Sequence, residues 1–157
     1  MPRSLGRALA VALLASLVTS CKAKDSGSTS SGRATKTIGV SLLTREHDFY
    51  RTLEAGLQEA AAKHGYMVII TTGDFALAKQ QSEIDNFLVQ KVDAIIVCPT
   101  DTKGIAPAIE KANAANIPVF TADIGAEGGK VVSHIASDNV AGGRLAGEYL
   151  AKVIGGK

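Results

Sequence analysis

Phe49 and Tyr50 stand side by side in a chain that has only four Phe, three Tyr and no Trp. A polar run, Thr44-Arg45-Glu46-His47-Asp48, leads into them. Aromatic faces stack on the C–H faces of sugars, while neighbouring polar groups bond hydroxyls. Apolar walls with a few placed polar groups are the general design of small-ligand sites. One of the two rings is expected to face the core at a helix start, and the other to touch ligand. Asp123, in Thr121-Ala122-Asp123-Ile124-Gly125, adds a carboxylate. It can accept bonds from two ligand hydroxyls, and charged hydrogen bonds are the stronger kind. The competing role for Asp123 is to cap its own loop.

Catalytic signatures are missing. There is no Walker A, no Gly-x-Gly-x-x-Gly after the first strand and no Gly-x-Ser-x-Gly elbow. His-Glu-x-x-His and Cys-x-x-Cys are also absent. Each of these would carry a phosphate, a nucleophile or a metal. The sequence therefore argues against an enzyme and supports no cofactor and no metal. His47 lies on the first loop and is a candidate for binding. His64 precedes Gly65 at a helix end, where a basic side chain suits the dipole. His134 lies in an apolar run, as core or interface. Cys98 ends the run Ile95-Ile96-Val97 and reads as a small buried hydrophobe. The formal charge is +2, but Arg3 and Arg7 lie in the N-terminal segment, and from Cys21 onward acids and bases balance. No basic block supplies the positive footprint of a nucleic-acid binder.

The elements that must position these residues alternate. Short apolar runs at 37–43, 67–71, 94–97, 118–121 and 131–135 read as strands. Between them, Leu53, Leu57, Ala60 and Ala61 form a helical stripe. Asp48 is expected to cap that helix and Gly65 to stop it. A second helix is expected over 76–90, with Leu77, Ile84, Phe87 and Leu88 inward. A third covers 105–115, ended by Asn116 and capped by Asp101 or Thr102. A fourth covers 140–154. Continuous apolar strands suit a sheet covered on both faces. The pattern predicts an α/β fold with a doubly wound parallel sheet. Ligands of such folds bind beyond the carboxyl ends of the strands. That directs attention to segments 44–50, 72–75, 98–102, 122–129 and 136–139.

The first residues tell a separate story. Arg3 and Arg7 precede an apolar run over 8–18 that is broken only by Ser16. Val18-Thr19-Ser20-Cys21 follows, and then a polar stretch of Lys, Ser, Thr and Gly. This order reads as a signal peptide with a small-residue cleavage site and a tether. The Cys after that site resembles the lipobox of bacterial lipoproteins, which implies lipidation of Cys21 and anchoring to a bilayer. The apolar run is shorter than the ~20 residues of a spanning helix.

Val131-Val132-Ser133-His134-Ile135-Ala136-Ser137-Asp138-Asn139, followed by Gly142-Gly143, closely resembles the hinge-entry segment of ribose-type periplasmic sugar-binding proteins. Pro99-Thr100-Asp101, the aromatic pair and Asp123 match the same family. The resemblance implies a type I periplasmic-binding-protein fold, in which two doubly wound lobes enclose a sugar that is passed to the permease of an ABC importer. Carried over residue by residue, Phe49 and Tyr50 match the aromatics that sandwich the sugar, and Asp123 matches a hydroxyl acceptor. His47 and Cys98 stand where ribose binders have Asn, and Ile124 where they have Arg. Losing that multi-donor group implies a monosaccharide, polyol or similar small polar solute other than ribose. The expected organisation is a signal at 1–20, a tether at 21–36, an N-terminal lobe at 37–137 and, at 138–157, the first helix of a second lobe. The chain is thus expected to be a truncated part of the family's full length, with the apolar side of its last helix exposed. The alternative is a sensor of the same fold, feeding a chemoreceptor or kinase. The export signal and the missing helix-turn-helix argue against a repressor core.

Overall fold

The computed structural model describes residues 35–155. The signal, lipidation and most of the tether expectations therefore lie outside the described residues.

Five strands and four helices follow in the expected order, with a loop and no helix between the last two strands. They are β1 (Thr37–Leu42), α1 (Asp48–His64), β2 (Met67–Thr72), α2 (Leu77–Gln90), β3 (Ala94–Val97), α3 (Ala106–Ala114), β4 (Val119–Ala122), β5 (Val131–Ile135) and α4 (Asn139–Val153). The strands form one sheet in the order β2-β1-β3-β4-β5, and every pairing is parallel. The strand order reverses direction at β1 and β3, the switch point at which such sheets open a crevice.

Alternation along the strands sorts the core into two layers. Ile95, Val97 and Val119 face α2 and α3, packing on Ile84, Phe87, Ile105 and Ile109. Val40, Leu42, Cys98 and Ala122 face the other way, toward Tyr50, Leu53 and Leu57 of α1. At Gly39 a Cβ would meet the Phe87 ring at 2.6 Å, so this strand position holds glycine because α2 lies directly on the backbone.

Helix ends follow their local chemistry, with two corrections. Gly65 is left-handed (φ 69°) and closes α1 through Ala61 and Ala62 carbonyls, as the sequence indicates. Asp48 does not cap α1. The N-cap position is His47, which makes no side-chain cap, and the Asp48 carboxylate turns to Arg51 one turn along. Asp101 caps a turn ahead of α3, accepting from the N–H groups of Lys103 and Gly104 at 2.9 and 2.6 Å. The helix itself starts only at Ala106.

The β4–β5 connection is a loop, residues 123–130, where a parallel pair usually uses a helix. It passes over α3. Asn113 holds Lys130 through both its amide groups, and at Gly129 (φ 71°) a Cβ would meet Ile109 at 2.5 Å. The expectation that every strand is covered on both faces fails at β5, whose last four residues are exposed. Among the described residues, α1 packs mainly on β2, and only its first turns reach the β4 and β5 ends.

Candidate functional site

The loop after β1 is held rigidly from below. Thr44 is buried, and its hydroxyl accepts from the Glu46 N–H at 3.1 Å. Arg45 grips Glu54 of α1 with two bonds of 2.7 and 2.9 Å and donates a third to the Ile70 carbonyl. The hydrogen bond from Arg45 holds the Glu54 carboxyl below its ordinary 4.5. Arg51 ties back to the Arg45 carbonyl at 2.9 Å. With its backbone fixed in this way, the loop delivers Phe49 and Tyr50 in the first turn of α1.

The two rings part ways. Tyr50 is 5% exposed and belongs to the α1-side core, whereas Phe49 is 50% exposed. They meet edge to face, with centroids 5.1 Å apart. The Tyr50 hydroxyl donates to Asp123 Oδ2 at 2.7 Å. Burial, with the Asp123 carboxylate beside it, pushes the Tyr50 phenol well above its ordinary 10.0.

Asp123 has a left-handed backbone (φ 63°), a conformation that Asp tolerates better than most residues. Its N–H donates to the Ile135 carbonyl at 2.9 Å. Strand end, β5 neighbour and Tyr50 together fix where the carboxylate points. Phe49 and Leu53 of α1, Asp123, Ile135 at the end of β5, and Ala136 and Ser137 after it line an open cleft of about 310 Å³. That volume lies at the small end of ligand pockets, ~300–1,000 Å³.

The other sequence-indicated residues do not line this cleft. Ile124 packs against the α1-side core. Cys98 is fully buried beneath the site. Burial, with Asp123 near, pushes its thiol up to about 12, so it stays neutral and unreactive. His47 is exposed on the loop and sits edge-on to Phe75, with centroids 6.3 Å apart. His64 stacks on Tyr66 at the end of α1. His134 is exposed and places Nδ1 2.9 Å from the Thr121 hydroxyl.

Two contributors were not named from the sequence, although Phe75 lies within the segment 72–75 that the strand-end rule singles out. Phe75 is 54% exposed with a left-handed backbone (φ 61°), a third aromatic at this end of the sheet. Gln80 is completely buried. Its amide donates to the Cys98 carbonyl at 2.9 Å and accepts from the Thr100 N–H at 2.8 Å, pinning the loop after β3. A polar residue on the inner stripe of α2 was the available signal for it. Among the described residues no cluster of His, Cys, Asp and Glu could hold a metal.

The sequence matches the family described as periplasmic binding protein domain over residues 38–157, and the chain belongs to it. The ribose import binding protein RbsB of Bacillus subtilis is 41% identical over 119 residues, which make up 76% of this chain and 39% of that protein. The Escherichia coli protein of the same name is 38% identical over 146 residues, 93% of this chain and 46% of that one. The crystal structure of a Caulobacter myo-inositol binding protein bound to myo-inositol superposes with a TM-score of 0.68 at 30% identity, covering 74% of this chain and 40% of that one. These relatives are binding proteins rather than enzymes, and the resemblance read from residues 131–143 agrees with them. The chain spans less than half the length of the curated relatives it matches.

Proposed function

We propose that this chain is the N-terminal part of a lipid-anchored solute-binding component of an ABC importer. It binds a monosaccharide or similar small polar solute between two lobes. The carrying observation is the pairing of an exposed Phe49 ring with an Asp123 carboxylate held by Tyr50, both on one cleft at the carboxyl edge of the sheet. A ring for the C–H face and an acceptor for the hydroxyls are the two elements a sugar requires. The named ligands of the relatives, ribose and myo-inositol, are of this class. His47 is the N-cap position of α1, two residues before Phe49, and Ile124 is adjacent to Asp123, as further contacts; Cys98 underlies them. Residues 37–137 form the first lobe, and α4 opens the second. Ligand closes the lobes by shifting a population from open to closed, and the closed form engages the permease. Cys21 carries the lipid, which places the protein outside the cytoplasm on a bacterial membrane.

The test is a titration of the chain with monosaccharides and polyols, followed by amide NMR. Shifts centred on Phe49, Asp123 and 135–137 are expected. Asp123→Ala should weaken binding at least about tenfold, the value of a charged hydrogen bond. Binding unaffected by Asp123→Ala overturns the site. Fatty-acid labelling lost in Cys21→Ser tests the anchor.

A further inference from the structure

A parallel sheet sorts its loops by edge: the chain enters every strand at one edge and leaves it at the other. In this sheet the two edges differ in charge. In the loops that leave the strands, Glu46, Asp74, Asp101, Asp123 and Glu127 outnumber Arg45 and Lys103. At the entering edge the balance reverses. Lys36 before β1, Lys63 in the last turn of α1, Lys91 after α2 and Lys130 before β5 are all exposed there. The acid beside them, Asp93, is taken by the Lys36 ammonium and the Thr37 N–H. Lys63, Lys91 and Lys130 form no ion pair with another described residue. The nearest helical carboxylates, Glu59, Asp85 and Glu110, lie a turn or more back from their helix ends, and Asp85 is paired with Lys111.

A helix C-terminus favours Lys63 and Lys91, but it explains neither Lys130 nor the apolar groups at the same edge. Tyr66 is 44% exposed and Met67 57%. The Tyr66 ring stacks on His64, and the Met67 N–H donates to the Lys36 carbonyl at 2.8 Å. An exposed aromatic among lysines suits a lipid headgroup region, where the ring sits at the interface and the ammonium groups meet phosphate. Lys36 is also where the chain enters β1. An anchor at Cys21 leaves about 15 residues before it, a length over which a Ser- and Gly-rich chain spans on the order of 20 Å. A bilayer is then held at high effective concentration against this edge. We propose that the entering edge of the sheet docks on an anionic lipid surface through Lys63, Lys91, Lys130, Tyr66 and Met67. The acidic opposite edge is repelled, so the sugar cleft points away from the bilayer. The proposal rests on the anchoring reading above for what brings the bilayer near.

The experiment couples the full chain, labelled with ¹⁵N, through Cys21 to a maleimide lipid in nanodiscs; Cys98 is sealed and does not compete. Coupling by chemistry makes the outcome independent of lipidation in the cell. One set of discs is an equal mixture of phosphatidylglycerol and phosphatidylcholine, the other phosphatidylcholine alone, and both carry a spin-labelled headgroup. On the anionic discs, broadening should centre on amides of Lys63, Tyr66, Met67 and Lys91 and spare Asp123 and 135–137. On the neutral discs this contrast should fade. Each lysine near an anionic surface is worth about a fivefold change in partitioning, so Lys63→Gln and Lys91→Gln should each lower the docked-to-free ratio about fivefold. Lys130→Gln should do the same from a position outside any helix end. Broadening that is even over both edges, that centres on the cleft or that ignores lipid charge overturns the proposal. So does a docked ratio that all three variants keep. Labelling in cells that persists in Cys21→Ser overturns the anchoring reading, while the disc result still decides the docking surface.

Discussion

A phenol that donates to a carboxylate is a small device with a measurable signature. The bond between Tyr50 and Asp123 joins the first turn of α1 to the end of β4. Hydrogen bonds to a charged acceptor contribute about 1.5–3 kcal/mol, so Tyr50→Phe should destabilise the fold by that order near neutral pH. The sign of its pH dependence follows from the raised phenol. Below the ordinary 10.0 both folded and unfolded phenols are protonated and the contribution is complete. Above it the unfolded phenol ionises first, and stability declines as pH rises toward the folded value. Denaturation midpoints of wild type and Tyr50→Phe should therefore differ near neutrality and converge in alkali. Parallel curves would remove the role assigned to this bond. At this scale the sequence showed that one of Phe49 and Tyr50 would turn inward, because a helix start has only one core side. Which one turned, and that its hydroxyl would find Asp123 across 73 positions, depended on how α1 sits against the β4 end.

At the scale of elements, most of the fold was legible because its signals are local. Apolar runs of strand length and a 3.6-residue stripe are set by neighbours in sequence, and Gly65 stops α1 where a left-handed residue is needed. Contacts between elements were less visible. Gly39 reads as an ordinary strand glycine until Phe87 is seen lying on it. Gly39→Ala should cost about 1–3 kcal/mol, the usual range for overpacking, read as a lower denaturant midpoint with unchanged slope. A neutral outcome would show that the Phe87 ring moves aside freely. Gln80 was hidden in the same way. An inward Gln looks like an error in the stripe, and only the β3 loop beside it supplies the carbonyl and N–H that make it stable there.

Over the whole molecule, burial is uneven. The sheet layer facing α2 and α3 is closed, whereas α4 has no buried residue. Leu145 is 67% exposed, with Val140, Tyr149, Leu150 and Val153 also open. Helices this short gain most of their stability from packing. Amides across Asn139–Val153 should thus exchange with local opening energies near the ~0 kcal/mol end of the range, far below those of β1 and β3. Leu145→Glu should change stability by no more than ~0.5 kcal/mol, while Ile95→Ala should cost about 2–5 kcal/mol. Strong protection over α4 in a monomeric sample would contradict this. The sequence by itself determined the order of elements, the parallel sheet and the edge at which to seek a site, because periodicity and turn residues are properties of adjacent residues. It also marked Phe49 and Asp123 as groups suited to a ligand. Whereas the burial of Cys98 was legible from its apolar run, only the tertiary structure decided that Tyr50 anchors Asp123 and that the β5 edge stays open. Those outcomes depend on side chains far apart in sequence competing for the same space and the same hydrogen-bond partners, and no local pattern encodes that competition.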